Sequence, residues 1–274
     1  MSLKILLIYF SGTGSTAEFA LNLGDFIQEK GNTVDYIRLT RKVMEKSKEN
    51  FDKYDLIGFG SPVWSWRTPR IITRYVSTLK LPKIPYFNFF SCGGSLGNAP
   101  WSLYKALRNS GGIYLGTVIA TGTNNIRSWR PKLDKPGDQF NELNSTEIQT
   151  SQKFISSLLE LLHHQELKEG PAPPRIWYWS LVNSVFSYPF EMRKFVGTKK
   201  INQEKCTKCG LCATRICPSN AISIGSDGFP QINEKLCYGC HGCINLCPTL
   251  AINTKLSQSH HPFTNYGKNI LKSF

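Results

Sequence analysis

Residues 4–20 read KILLIYFSGTGSTAEFA, and the turn at their centre decides how the N-terminal half is understood. The run KILLIYF (4–10) is strand-like, and the stretch from Thr16 to Lys30 is amphipathic and helix-like. Between them stand only small residues: Ser11, Gly12, Thr13, Gly14, Ser15 and Thr16. Backbone N–H groups of such a loop can converge on an anion. Its hydroxyls can donate, and the helix that follows adds its positive end. No Gly-Lys-Ser/Thr follows, so this is not a Walker A loop, and the glycine spacing is not G-x-G-x-x-G. Neutral donors without a lysine suit a tightly held phosphomonoester rather than a triphosphate with magnesium. The plainer alternative is an ordinary capped turn between strand and helix.

Further apolar runs end in loops: TVDYIRL (33–39), YDLIGFGSPV (54–63), YFNFFSCG (86–93) and GTVIAT (116–121). Amphipathic stretches separate them at 70–79 and 99–109, and TEIQTSQKFISSLLELLHH (146–164) closes the series as a helix. Strands buried on both faces and joined by helical crossovers predict an α/β fold with a doubly wound parallel sheet. In such sheets ligands sit at the carboxyl ends of strands. The loop after the third strand supplies Ser61, Pro62, Val63, Trp64 and Trp66, with aromatics for a flat ring. The loop after the fourth supplies Cys92, Gly93 and Gly94, whose N–H groups can approach ring heteroatoms. A phosphate at the first loop and a planar ring between the other two describe FMN.

The formal charge is +14 and the isoelectric point about 9.4, yet the cations are scattered or alternate with acids. They read as solvated faces, with no nucleic-acid footprint. The N-terminal apolar run is far too short for a signal peptide or a spanning helix, and IWYWSLVNSVFSYPF (176–190) is too short and too polar for a span. A cytoplasmic protein is expected. Nine cysteines in that setting point to metal rather than disulfides.

Composition divides the chain at 1–167, a Pro-rich linker and aromatic connecting helix at 168–198, a cysteine-rich domain at 199–256, and a tail at 257–274. The cysteine-rich part is a duplication. Ile201, Cys206, Cys209 and Cys212 recur 31 positions later as Ile232, Cys237, Cys240 and Cys243. Cys217, Pro218, Ala221 and Ile222 recur only 30 later as Cys247, Pro248, Ala251 and Ile252, so the first copy has one extra residue between Cys212 and Cys217. The second copy is C-x2-C-x2-C-x3-C-P, the run of bacterial ferredoxins with two 4Fe–4S clusters. Two triplets plus two Cys-Pro singles fit a zinc ribbon poorly.

Residues 201–252 thus resemble a two-cluster bacterial-type ferredoxin domain. The resemblance implies one cluster on Cys206, Cys209, Cys212 and Cys247, and another on Cys237, Cys240, Cys243 and Cys217. His241, lodged between ligands, is expected to face solvent. Residues 1 to about 165 resemble flavodoxin, with SGTGST as the phosphate loop and GSPVW as the first ring loop. That resemblance implies a five-stranded sheet in the order 2-1-3-4-5. Relatives often carry glycine where this chain has Trp66, so either Trp64 or Trp66 is the stacking partner. Cys92 reads as a small packing residue near the ring. The whole chain looks like the flavodoxin–ferredoxin fusions, which implies electron transfer to partner redox proteins, and the net positive charge suggests acidic docking surfaces on those partners. The rival is a flavin-dependent reductase of a small molecule, with the clusters as electron inlet. A redox sensor would need a binding element that the sequence does not show.

Overall fold

The computed structural model describes residues 2–46, 50–122, 124–126, 143–164, 167–179 and 195–257. Five parallel strands, β1 (Lys4–Tyr9), β2 (Thr33–Arg38), β3 (Leu56–Pro62), β4 (Pro85–Cys92) and β5 (Ile113–Thr121), form one sheet in the order β2-β1-β3-β4-β5. Helices α1 (Ser15–Glu29), α2 (Arg41–Lys46), α3 (Arg70–Val76), α4 (Ala99–Leu107) and α5 (Ser145–His164) alternate with them.

The period of two along a strand sorts each apolar run between two cores. Leu6, Ile8 and Phe10 pack with Ile57, Tyr86, Phe90 and Leu103 on one side, where α3 and α4 lie. Ile5, Leu7 and Tyr9 pack with Phe87 and Phe89 on the other, under α1 and α5. In α1, Phe19, Leu23 and Ile27 recur every four residues and are fully buried. Each such side chain contributes about 1.5–3 kcal/mol, and Leu23→Ala would forfeit about 2–5 kcal/mol. The expectation of strands buried on both faces holds for β3 and β4 but not for β2. That strand is the sheet edge and runs from exposed to half-buried.

The order of chain crossing reverses between β1 and β3, so the loops after these strands and β4 splay around one crevice at their carboxyl ends. In the stretch 168–175, Gly170 donates its N–H to Tyr114 O at 2.7 Å. Next to it, Asn98 holds Ile176 by both backbone groups (2.8 and 2.9 Å). Of the expected connecting helix, 180–194 lie outside the described residues, as do 258–274 of the tail.

The C-terminal module folds as its duplication dictates. β6 (Lys200–Ile201) pairs with β9 (Ile252–Asn253), and β7 (Ile222–Ile224) with β8 (Pro230–Ile232), both antiparallel. The start of each copy therefore pairs with the end of the other: Ile201 opposes Ile252, and Ile232 opposes Ile222. The extra residue of the first copy has a defined place. Cys212–Ile216 form a π-helical turn closed by Cys217 N–H on Cys212 O, whereas the second copy has an ordinary α-turn, α6 (Gly242–Asn245), closed by Leu246 N–H on Gly242 O. The shared core is small: Ile216, Ile222, Ile244, Leu246 and Ile252 around Cys212 and Cys243. No helix among the described residues is long and apolar enough to cross a membrane.

Candidate functional site

A cavity of about 520 Å³ opens at the carboxyl ends of β1, β3, β4 and β5, a size suited to a small organic cofactor. Ser11, Gly12, Thr13, Ser15 and Thr16 form one wall; Pro62, Val63, Trp64 and Trp66 a second; Cys92, Gly93 and Gly94 a third. Gly14 and Ser61 are not in the lining. Gly14 instead shapes the loop: at φ 114° and ψ −30° it turns the chain into α1, and its N–H donates to Ser11 Oγ at 3.1 Å. Ser61 is fully buried and donates its hydroxyl to Pro62 O at 2.8 Å.

The loop fits an anionic group. α1 starts without a side-chain cap, and Ser15 and Thr16 of its first turn line the cavity, so the uncapped end of the helix meets it. Thr16 and Ser91 join hydroxyls at 2.8 Å in a buried contact that ties the first loop to the fourth strand. Both tryptophans reach the cavity, by different means. Trp64 stands edge-on to Phe10 (5.6 Å, 85°), while Trp66 stacks on Trp179 (4.5 Å, 26°). Ser65 and Trp66 take positive φ (47° and 59°), so Trp66 occupies a left-handed turn where glycine would sit without strain. Asn98 N–H on Trp66 O (2.8 Å) helps hold it there. Cys92 donates its thiol to Gly94 O at 3.0 Å, and burial pushes that thiol up. The sequence reading missed Asn124, Asn125 and Ile126, from the loop after β5, and Phe195 and Cys240 from farther along. The asparagine pair directly behind an apolar strand was the available signal for the first three.

The eight remaining cysteines divide across the repeats. A small enclosed pocket is lined by Cys217, Cys237, Cys240 and Cys243, with Lys199 and His241. Burial, then the neighbouring Cys237 and Cys217, pushes the Cys240 thiol to about 12. Burial, then Cys240 and Cys237, holds Cys243 well above its ordinary value. In the other set, burial, then Cys247 and Cys209, pushes Cys212 to about 11. Each triplet thus has as its fourth neighbour the Cys-Pro cysteine of the opposite copy. Among the described residues no three His, Cys, Asp or Glu side chains converge as ligands of a single ion would. Cys217, Cys237, Cys240 and Cys243 line an enclosed space instead, which suits a multi-iron cluster.

The two copies differ in exposure. Cys209 is exposed, but its counterpart Cys240 is buried. His241, expected in solvent, is only 3% exposed. It takes the left-handed position (φ 60°) that Gly210 holds in the first copy, and its neighbours Cys240 and Gly242 pack against Gly12 of the N-terminal half. Two arginines make that docking. Arg38 donates to Arg215 O (2.9 Å), Ile216 O (3.1 Å) and Ser11 O (3.4 Å). Burial lowers its pKa to about 10, against the opposing pull of Tyr9, Cys240 and Cys217. Arg41 donates its backbone N–H to Pro218 O (2.7 Å) and its guanidinium to Ser219 O and Leu236 O, and lies over Tyr238. Asn245 Nδ2 donates to Asn125 O at 2.8 Å, beside the cavity.

Residues 213–258 match the family model described as the LdpA Fe–S cluster-binding domain. Ferredoxin-1 of Rhodobacter capsulatus is 41% identical over 56 residues, which are 18% of this chain and 83% of that protein. Pyruvate synthase subunit PorD of Methanocaldococcus jannaschii is 40% identical over 52 residues, 19% of this chain and 59% of that one. Two larger relatives are matched over only 22% and 13% of their own lengths. Among solved structures, a flavodoxin from the domain Archaea aligns with 59% of this chain and all of its own, at 16% identity and a TM-score of 0.41. The N-terminal assignment rests on the strand order itself. By its match to Ferredoxin-1 the cysteine-rich module belongs to the ferredoxin family, and it is joined to an N-terminal half with the flavodoxin-like strand order β2-β1-β3-β4-β5.

Proposed function

We propose that this chain is an iron–sulfur flavoprotein that carries electrons between FMN in the cavity, two 4Fe–4S clusters on the eight paired cysteines, and partner redox proteins. The observation that carries the reading is that one cysteine, Cys240, lines both the cavity and the thiol pocket. A flavin exchanges one or two electrons and a cubane one at a time, so their apposition suits conversion between the two. In this reading Ser11, Thr13, Ser15 and Thr16 hold the phosphate, Trp64 or Trp66 flanks the ring, and Gly93 and Gly94 face its polar edge. The thiols' burial means that cluster assembly must release protons, which links cluster stability to pH.

The partner face is the exposed side at Cys209, which carries Lys205 and Lys208. Lys208 is held over Phe229 (4.2 Å) and donates to Asp227 O, so its charge has a fixed place. An acidic one-electron carrier fits this face, with association weakened by salt. Nine free cysteines suit a reducing compartment such as the cytoplasm. The test is anaerobic stopped-flow mixing of the dithionite-reduced protein with an acidic ferredoxin at increasing salt. Fast, salt-sensitive oxidation supports the carrier. Flavin oxidation by a small molecule, with no turnover by protein acceptors, would establish the reductase instead.

A further inference from the structure

Gly12 is the second residue of the phosphate loop, and its own backbone does not require glycine, since its φ lies outside the left-handed region. What excludes a side chain is the other half of the molecule. A Cβ on Gly12 would stand 2.7 Å from Cys240 Cβ and 2.9 Å from Cys240 O. The relation is reciprocal: a Cβ on Gly242 would collide with Gly12 O, and Gly242 also has no left-handed φ. Two main chains therefore pack directly on each other, glycine against the cysteine loop. Arg38 clamps the same place, its guanidinium spanning Ser11 O on one side and Ile216 O, next to Cys217, on the other. None of Cys206, Cys209, Cys212 or Cys247 lines the cavity.

Resting on the cofactor assignment above, we propose that the cavity and the pocket of Cys217, Cys237, Cys240 and Cys243 are one coupled binding unit. They are joined by the Gly12–Cys240–Gly242 contact and held by Arg38 as a positioning residue. Filling either site orders the wall it shares with the other. By linkage the stabilisation is mutual and equal in both directions. The set Cys206, Cys209, Cys212 and Cys247 stands outside the coupling, so the two clusters differ in their response to flavin although their ligand patterns are nearly the same.

Two measurements on the full-length protein test this. In the first, wild-type protein with and without FMN is exposed anaerobically to an iron chelator, and each reduced cluster is followed by its paramagnetic resonance signal, assigned through Cys209→Ser. The signal of the Cys217 set should decay several-fold faster without flavin, while that of the other set keeps its rate. In the second, Gly12→Ala adds a methyl group whose three nearest atoms all belong to Cys240. Overpacking of this kind costs enough to weaken FMN binding about tenfold, read by flavin fluorescence, and to alter the Cys217-set signal alone. Arg38→Lys, which keeps the charge but loses the fork that spans both sides, should do the same more weakly. Equal decay of both signals with and without flavin, or Gly12→Ala protein with wild-type FMN affinity and wild-type signals, overturns the coupling. Wild-type protein lacking flavin or either cluster signal would overturn the cofactor assignment itself, and the coupling with it.

Discussion

Gly14→Ala isolates the phosphate loop from everything else in the molecule. Gly14 sits at φ 114° and ψ −30°, outside even the ordinary left-handed well, and directly precedes the first residue of α1. An alanine forced there costs about 1–3 kcal/mol. Where that cost appears depends on the rigidity of the flavin-free loop. If the loop keeps its shape, the whole penalty falls on folding stability, and FMN affinity is unchanged. If the loop relaxes, stability is spared, and FMN must restore the strained turn at a loss of about five- to 150-fold in affinity. The two effects share one total, so both must be measured. Flavin titration by fluorescence gives the affinity, and denaturant unfolding of the flavin-free protein gives the stability. Their summed loss should fall within the range stated, with the iron content unchanged. A variant with wild-type values for both would refute the loop geometry, because no alanine adopts that conformation without cost.

Cys217→Ala should abolish the cluster of Cys237, Cys240 and Cys243 before the one nearer in sequence, and Cys247→Ala should do the reverse. Resonance spectra that show loss of the adjacent triplet's cluster instead would mean the ligands do not cross. Asn88 is fully buried in β4, and neither side-chain polar atom has a hydrogen-bond partner among the described residues. Asn88→Leu should therefore stabilise the sheet by about 1–2 kcal/mol, read as a higher unfolding midpoint; a lower midpoint would reveal a partner such as bound water. Trp64→Ala and Trp66→Ala should each be scored by flavin fluorescence. The variant whose bound flavin brightens identifies the stacking ring, and no change in either would remove this loop from the ring site.

What could be read from sequence is what depends on local pattern. The runs at 4–10, 54–63 and 86–93 announced buried strands because a two-sided core needs unbroken apolar stretches. The duplication announced its cysteine sets because metal ligation tolerates little change in spacing. β2 carries Asp35 and Arg38 where β1 is apolar from Ile5 onward, a polar signal that fits its place at the sheet edge. What could not be read depends on how distant parts meet. Gly12 reads as one more small residue of an anion loop until Cys240 is found against it. His241 reads as a solvent residue from its place between ligands, but in the fold its neighbours Cys240 and Gly242 pack against Gly12 of the phosphate loop. The inserted residue was visible as a count, but its resolution into a π-turn is a matter of hydrogen-bond register. Three prolines and a glycine at 168–175 marked a linker, while the hydrogen bond from Gly170 to Tyr114 of β5 depends on a distant partner that composition does not reveal.

The most direct test of the account is the cofactor content of the protein purified without oxygen. Quantified flavin, iron, sulfide and zinc per chain should give one FMN, about eight iron and eight sulfide, and no stoichiometric zinc. Zinc in place of iron, or iron at full occupancy without any flavin, would contradict it.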